Sequence, residues 1–161
     1  MAENSFEILR ASPEHADQLT LITIAAKRHW GYPETWMQLW IPMLTISAEY
    51  ISENETWMVV ADDQPVGYYS LTSSPKGNDE EELWLDNLWV LPEYMGLGIG
   101  KNLFRHAWER ARLRGFTDLK IEADPNAESF YEKMGARKIG ERHHGELDGQ
   151  PRILPVMEIN V

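Results

Sequence analysis

The sequence predicts an α/β (α+β) fold in which one mixed sheet carries helices on both faces. Segments with the alternating apolar pattern of strands and segments with the repeat of amphipathic helices follow one another along nearly the whole chain. That order of elements is typical of a mixed sheet covered by helices. The length of 161 residues suits one domain with a core of its own, so we expect a single domain over residues 1–161.

Each element follows from a local pattern. Strands are predicted where apolar residues lie between turn residues, at residues 6–10, 57–61, 66–72, 83–91, 117–122, 136–142 and 153–160. Helices are predicted where apolar residues recur every three or four positions, at residues 13–29, 33–44, 101–115 and 127–134, with a short turn at 47–52. Ser12 caps the first helix, and Pro13 suits its first position. Residues 76–82 are polar and acidic and are expected to form a loop.

The most informative segment is VLPEYMGLGIGK, residues 90–101, which joins a strand to a helix through three glycines at alternate positions. A glycine-rich turn that leads into a helix presents several backbone N–H groups at the positive end of the helix dipole. Glycine also lets the backbone approach a ligand closely, because it has no Cβ. The segment is therefore either a site for a phosphate or pyrophosphate or a tight strand–helix connection.

Spacing excludes the two common nucleotide loops. A P-loop would require glycine where the chain has Met95 and serine or threonine where it has Asn102. The dinucleotide motif Gly-x-Gly-x-x-Gly fails because Gly100 comes one residue too early after Gly98.

Residues 85–104, LDNLWVLPEYMGLGIGKNLF, resemble the acetyl-CoA-binding motif of the GNAT superfamily of N-acetyltransferases. The family core Arg/Gln-x-x-Gly-x-Gly/Ala matches residues 95–100, with Met95 in place of the usual Arg or Gln. Residues 123–141 resemble the later motif of the family, with Asn126 and the pair Phe130-Tyr131 in the expected places, and residues 152–161 resemble its closing strand. The resemblance covers the chain from about Gln64 to its end.

This resemblance implies a mostly antiparallel sheet of about six to seven strands and acetyl-CoA as co-substrate, with no metal. The implied cofactor-binding residues are Leu88, Trp89, Val90, Met95, Gly96, Leu97, Gly98, Ile99, Gly100, Lys101 and Asn126. Asn126 could equally cap the helix that begins at Ala127. In the family, main-chain amides hold most of the pyrophosphate. The presence of Met95 is therefore expected to change the affinity for acetyl-CoA more than the identity of the motif.

Two residues are expected to be catalytic. Tyr131 matches the family tyrosine whose phenol can give a proton to the departing thiolate, although a single tyrosine more often packs in a core. Asp86 interrupts an apolar strand just before the glycine turn and is the first candidate base, alone or through water; an exposed strand charge is the alternative. Glu122 is the second candidate base. A base is needed because an amine with a pKa near 10 is mostly protonated at neutral pH.

The acceptor is expected to be a small-molecule or peptidyl amine. Trp30, Tyr32 and Trp84 are candidates to hold a cationic acceptor through their ring faces, although aromatic side chains are more often core residues. The net charge of −11 favours a cationic acceptor slightly and disfavours nucleic acid. His143 and His144 lack the spacing of metal ligands with other residues, and they are expected at the solvated end of a strand.

The remaining expectations follow from composition. The chain has no cysteine, no apolar run long enough for a membrane span and no signal-peptide pattern, so we expect cytoplasmic residence and no membrane association. A homodimer is the commonest oligomeric state and is the expectation. A non-catalytic acyl-CoA sensor or interaction domain on the same scaffold is the alternative to an enzyme.

Overall fold

In the computed structural model, which describes residues 5–161, seven strands form one sheet in the order β1-β2-β3-β4-β5-β7-β6. The strands are β1 (Glu7–Arg10), β2 (Glu55–Ala61), β3 (Gln64–Gly77), β4 (Glu80–Val90), β5 (Asp118–Glu122), β6 (Arg137–Leu147) and β7 (Gln150–Asn160). The α-helices are α1 (Ala16–His29), α2 (Glu34–Leu44), α3 (Ala48–Glu53), α4 (Ile99–Leu113) and α5 (Glu128–Lys133). The predicted fold class is confirmed.

Strand directions match a mostly antiparallel sheet. β1 with β2, β5 with β7, and β6 with β7 pair antiparallel. β4 and β5 pair parallel, with Trp84 opposite Lys120 and Leu85 opposite Ile121. The single parallel pair is what a crossover helix between two strands requires, and α4 supplies that crossover.

The described residues fall into two compact units. The first unit contains residues 5–70 together with Asn87–Phe104. The second contains Leu71–Asp86 and Arg105–Val161.

The core of the first unit forms where α1 packs on β2 and β3. Leu19 and Ile22 of α1 are buried with Met58 of β2 and Tyr68 of β3. The hydroxyl groups of Thr23 and Tyr68 bond to each other inside this core, which satisfies two polar groups that would otherwise be costly to bury.

The second unit is built on β5 and β7. Leu119 and Ile121 alternate with partly exposed residues along β5, and Met157 of β7 is fully buried. β6 is the outer strand and is exposed along almost its whole length. A tight turn joins β6 to β7, with φ of +51° at Asp148 and +79° at Gly149, as expected for a two-residue hairpin turn.

The loop predicted at residues 76–82 is wrong. β3 continues to Gly77 and β4 begins at Glu80, so only Asn78 and Asp79 connect them. Both connecting residues have positive φ, +54° and +59°, which is the conformation of a tight hairpin turn. The polar composition reflects the exposure of the two strand ends, not an absence of strand structure. β6 likewise extends to Leu147, beyond the predicted end at residue 142.

Candidate functional site

The glycine turn has the backbone that its sequence predicts. A short 3-10 helix, Pro92–Tyr94, leads into it, and α4 begins at Ile99. Gly96 and Gly98 have φ of +81° and +82°, which L-residues with a Cβ rarely adopt. A Cβ added at either glycine would meet no atom within 4 Å. The glycines are therefore required by backbone conformation, and they leave open space beside the turn.

The start of α4 presents backbone donors next to that space. The N–H of Asn102 makes the first helical bond, to the carbonyl of Gly98 (3.0 Å). The N–H groups of the residues just before Asn102 have no partner within the helix, because the first turn of an α-helix leaves its donors unsatisfied. Buried Ile99 anchors the turn, whereas Leu97 is 53% exposed. This geometry fits a pyrophosphate.

Met95 is held inside the turn. Its N–H donates to the carbonyl of Pro92 (3.2 Å), which completes the short 3-10 helix. Its amide is therefore already bonded to the chain, and the donors that face the open space begin after it. Lys101, in the first turn of α4, is exposed.

The end of β4 is fixed by side-chain bonds that the sequence did not indicate. The Trp89 indole N–H donates to Asn87 Oδ1 (3.0 Å), and Asn87 Nδ2 donates to Ser70 Oγ (2.9 Å). Ser70 Oγ also bonds to the hydroxyl of Tyr50 (2.8 Å). These bonds hold the strand that contains Leu88, the half-buried residue next to Trp89.

In the first unit, the rings of Tyr32, Trp40 and Trp89 lie around a cation that belongs to the chain itself. Lys27, in the last turn of α1, is only 8% exposed. Its ammonium lies 4.7 Å from the ring centroid of Trp40, 5.0 Å from that of Tyr32 and 5.9 Å from that of Trp89. Lys27 follows Thr23 and Ala26 on the buried face of α1, and that spacing could have revealed it. Trp30 lies just beyond the helix and is 41% exposed.

In the second unit, Trp84 also contacts cations of the chain. The Arg142 guanidinium lies 4.7 Å and the Lys120 ammonium 5.9 Å from its ring. Its indole N–H donates to Glu82 Oε1 (3.1 Å), and Glu82 is ion-paired with Lys120 (2.6 Å). The hydrogen bond from Lys120 is the largest of the effects that hold the pKa of Glu82 below its ordinary value.

The two candidate bases occupy equivalent positions on neighbouring strands. Asp86 and Glu122 come directly after Leu85 and Ile121, which are partners in the parallel pair. Asp86 is exposed. Glu122 is ion-paired with Arg142 (3.2 Å), and its other carboxylate oxygen contacts Nε2 of His144.

Tyr131 is buried in α5 and stands near a carboxylate that sequence reasoning missed. Its phenol is 6% exposed, and burial raises its pKa well above the usual value, with a further contribution from the charge of Asp124. Asp124 Oδ1 accepts hydrogen bonds from the backbone N–H (2.9 Å) and the side-chain amide (3.0 Å) of Asn126. Asp124 Oδ2 accepts from Arg152 Nη2 (3.4 Å).

Asp124, not Asn126, caps the short 3-10 helix Pro125–Ala127 that precedes α5. An aspartate before proline is a typical turn and cap residue, and that local signal could have found it. The side chain of Asn126 is exposed, and its amide is oriented by Asp124.

Within residues 5–161, no group of three or more histidine, cysteine, aspartate or glutamate side chains is placed to bind a metal ion. In the same residues, none of the helices has both the length and the apolar character needed to cross a membrane.

Comparison with known proteins agrees with this geometry. The sequence profile of the Acetyltransferase (GNAT) family matches residues 19–136, which include the glycine turn and the Asn126–Tyr131 segment. The match begins well before Gln64 and ends before the C-terminal strand. The peptidyl-lysine N-acetyltransferase YjaB of Salmonella typhimurium is 33% identical over 113 residues, which cover 70% of this chain and 68% of the relative.

Two solved structures share the fold. A GCN5-related N-acetyltransferase from Rhodopseudomonas palustris has a TM-score of 0.79 at 23% identity, with 100% of this chain and 99% of that chain covered. The PaiA N-acetyltransferase of Thermoplasma acidophilum, solved in complex with coenzyme A, has a TM-score of 0.73 at 21% identity and 98% and 99% coverage. The protein is an acyltransferase, and it belongs to the acetyltransferase (GNAT) family.

Proposed function

We propose that the protein moves an acetyl group from acetyl-CoA to a primary amine, by direct attack of the amine within a ternary complex, and that residues 1–161 act as one acetyltransferase domain. The observation that carries this proposal is the buried phenol of Tyr131. A tyrosine with the ordinary pKa of about 10 is already protonated at neutral pH, and burial together with the charge of Asp124 raises the pKa of Tyr131 further. A proton held at Tyr131 Oη is what a departing thiolate needs.

The glycine turn would hold the pyrophosphate of acetyl-CoA. The open space beside Gly96 and Gly98 and the donors at the start of α4 support this role. The backbone N–H groups of Leu88 to Val90 would donate to acetyl-CoA. Asn126, whose side-chain amide is oriented by Asp124, would contact another part of acetyl-CoA. Acetyl-CoA supplies the acetyl group in activated form, as a thioester.

Asp86 is the proposed base. Its exposed carboxylate would remove a proton from the acceptor ammonium, directly or through a water molecule. Glu122 is less suited to act directly, because both of its oxygens contact cationic or imidazole side chains of β6.

Two classes of amine fit the acceptor. The net charge of −11 favours a small cationic amine. The name of the relative from Salmonella typhimurium favours the side chain of a peptide lysine. Trp30 has the most exposed ring of the three proposed acceptor residues, whereas Tyr32 and Trp84 also contact Lys27 and Arg142. A cytoplasmic homodimer remains part of the proposal.

Thiol release from acetyl-CoA, measured with a panel of small amines and lysine-containing peptides, tests this function. We expect Tyr131→Phe to lower kcat at least about tenfold with unchanged CoA affinity, because only the proton donor is lost. Tyr69→Phe, at a buried tyrosine of β3, is the matched control and should keep kcat. Asp86→Asn should lower kcat/KM at neutral pH, where the amine is protonated, and less at high pH, where the amine loses its proton without a base. Tight CoA binding without turnover on any amine would contradict the proposal and indicate a sensor.

A further inference from the structure

One face of the sheet in the second unit carries a run of polar side chains around Glu122. Leu85 and Ile121 are buried partners in the parallel pair. Because side chains alternate along a strand, Asp86 and Glu122 project to the other face, together with Trp84. Both carboxylates therefore lie on the same face of the sheet.

Glu122 is held in place by β6. Its Oε2 accepts a hydrogen bond from Arg142 Nη1 (3.2 Å), and its Oε1 contacts His144 Nε2. The guanidinium of Arg142 stacks 4.7 Å above the ring of Trp84. Trp84 thus fixes Arg142, Arg142 fixes Glu122, and Glu122 orients the imidazole of His144.

This arrangement leaves one imidazole nitrogen available to a proton from outside the cluster. When Nε2–H of His144 donates to Glu122, the lone pair is on Nδ1. The side chain of His144 is 47% exposed, so a proton taken up there can pass to solvent. A neighbouring carboxylate stabilises the imidazolium that forms.

A carboxylate alone is poorly matched to an amine. The ordinary pKa of an aspartate side chain is about 4 and that of an alkyl ammonium about 10, so the proton must move on to a better acceptor. Imidazole is the side chain whose protonation changes nearest to neutral pH.

We propose that the proton that Asp86 removes from the acceptor ammonium passes to His144, which Glu122 orients. The ammonium loses one proton and gains a lone pair for attack, Nδ1 of His144 takes up that proton, and the imidazolium releases it to water. This inference rests on the proposed function and names the second proton acceptor of the same site.

Several charged groups lie around the imidazole of His144. Glu122 faces it from β5 and Arg142 from its own strand. On the same side, Asp86 lies on β4, and Arg152 on β7 is bonded to Asp124. Of these groups, Glu122 contacts the ring of His144 directly.

His143 provides a matched control one residue away. His143 faces Glu141, whose lowered pKa it supports, although the hydrogen bond from Lys138 is the larger cause. Arg142 and His144 contact Glu122 instead. A substitution at His143 therefore changes the same residue type on the same strand without touching the cluster.

The test is the pH dependence of kcat/KM for wild type, His144→Ala, His143→Ala and Asp86→Asn, with and without added imidazole. We expect His144→Ala to lower kcat/KM at least about tenfold and to regain part of it with imidazole, while His143→Ala stays near wild type. Glu122→Gln should also lower kcat/KM, because His144 loses the contact that orients its imidazole.

The outcomes separate the two proposals. If Asp86→Asn slows the reaction but His144→Ala matches His143→Ala, the role of His144 is overturned and the proposed function stands. If added imidazole restores no activity to His144→Ala, the imidazole does not take up the proton and the inference fails. If wild type acetylates no amine, the proposed function itself fails.

Discussion

Gly67 of β3 should tolerate a side chain poorly because of close packing. An alanine Cβ at this buried position would lie 3.0 Å from the carbonyl oxygen of Trp89 and 3.4 Å from side-chain atoms of Leu103 and Val90. The oxygen belongs to the backbone of the neighbouring strand and cannot rotate away. Because carbon atoms pack best at about 3.5–4.0 Å, the strand end itself must move.

The cost can be worked from these contacts. Overpacking of a core typically costs about 1–3 kcal/mol. Replacing glycine with alanine in an ordinary backbone returns about 0.4–1 kcal/mol, because the unfolded chain loses freedom. The net loss for Gly67→Ala is therefore about 1 kcal/mol, within limits of about 0 and 2.6 kcal/mol. Gly140 of β6 is the control, since an added Cβ there meets no atom within 4 Å and its φ is not positive.

Urea and thermal unfolding of the two variants measure the difference. A gap of about 2 kcal/mol corresponds to roughly 4–8 °C in Tm for a chain of this size. CoA affinity should fall in Gly67→Ala but not in Gly140→Ala, because Trp89 and Val90 lie on the strand that leads to the glycine turn. If Gly67→Ala is as stable as Gly140→Ala, the close approach of the two strands is not real and the reasoning is refuted.

Three further predictions concern the turn, the buried carboxylate and an ion pair. Met95→Ala should leave the Kd for CoA within about twofold, whereas Gly98→Val should raise it at least about tenfold because of its positive φ; calorimetry showing the reverse would contradict the backbone cradle. Asp124→Asn should lower the free energy of unfolding by about 1–3 kcal/mol, because the buried charge-assisted bond to Arg152 is lost. The same substitution should lower the pKa of Tyr131, measured by ultraviolet titration with Tyr131→Phe as the reference. An unchanged pKa would show that the charge of Asp124 does not raise the pKa of Tyr131. The pKa of Glu82 is lowered from 4.5, so its carboxylate should stabilise the fold above pH 4.5, and this stabilisation should vanish as the pH falls through the lowered pKa. Wild type should therefore have a higher urea midpoint than Glu82→Gln near neutral pH and the same midpoint in acid. A difference between the two midpoints that widens in acid would contradict this prediction.

The fold was predictable because its signals are local. The helix start at Ser12-Pro13 and the alternation along the buried strands depend on neighbouring residues only. Residues 76–82 were mistaken for a loop because both strand ends are exposed, which removes the alternation between buried and exposed positions. The end of β6 was missed for the same reason, since its pairing with β7 rests on backbone hydrogen bonds and not on burial.

The candidate site likewise has one part that the local sequence predicts and another part that it does not. The glycine turn was predictable, because positive φ is a property of the residues themselves. The bond between Asp124 and Arg152 joins residues 28 positions apart, and the contact of Glu122 with His144 depends on the strand order β5-β7-β6. No spacing rule on one strand or helix can predict such contacts, because they arise only when the sheet is assembled.

The aromatic residues show why a count of rings does not identify a ligand. A ring face attracts a lysine of the chain as well as a cation of the substrate. Lys27 reaches the ring of Tyr32 without the entropy loss of binding a second molecule, so an acceptor cation at that ring must compete with it. In the same way, an acceptor cation at the ring of Trp84 must compete with Arg142. Selection of a cationic amine would therefore depend more on an exposed ring such as that of Trp30 than on the number of aromatic residues.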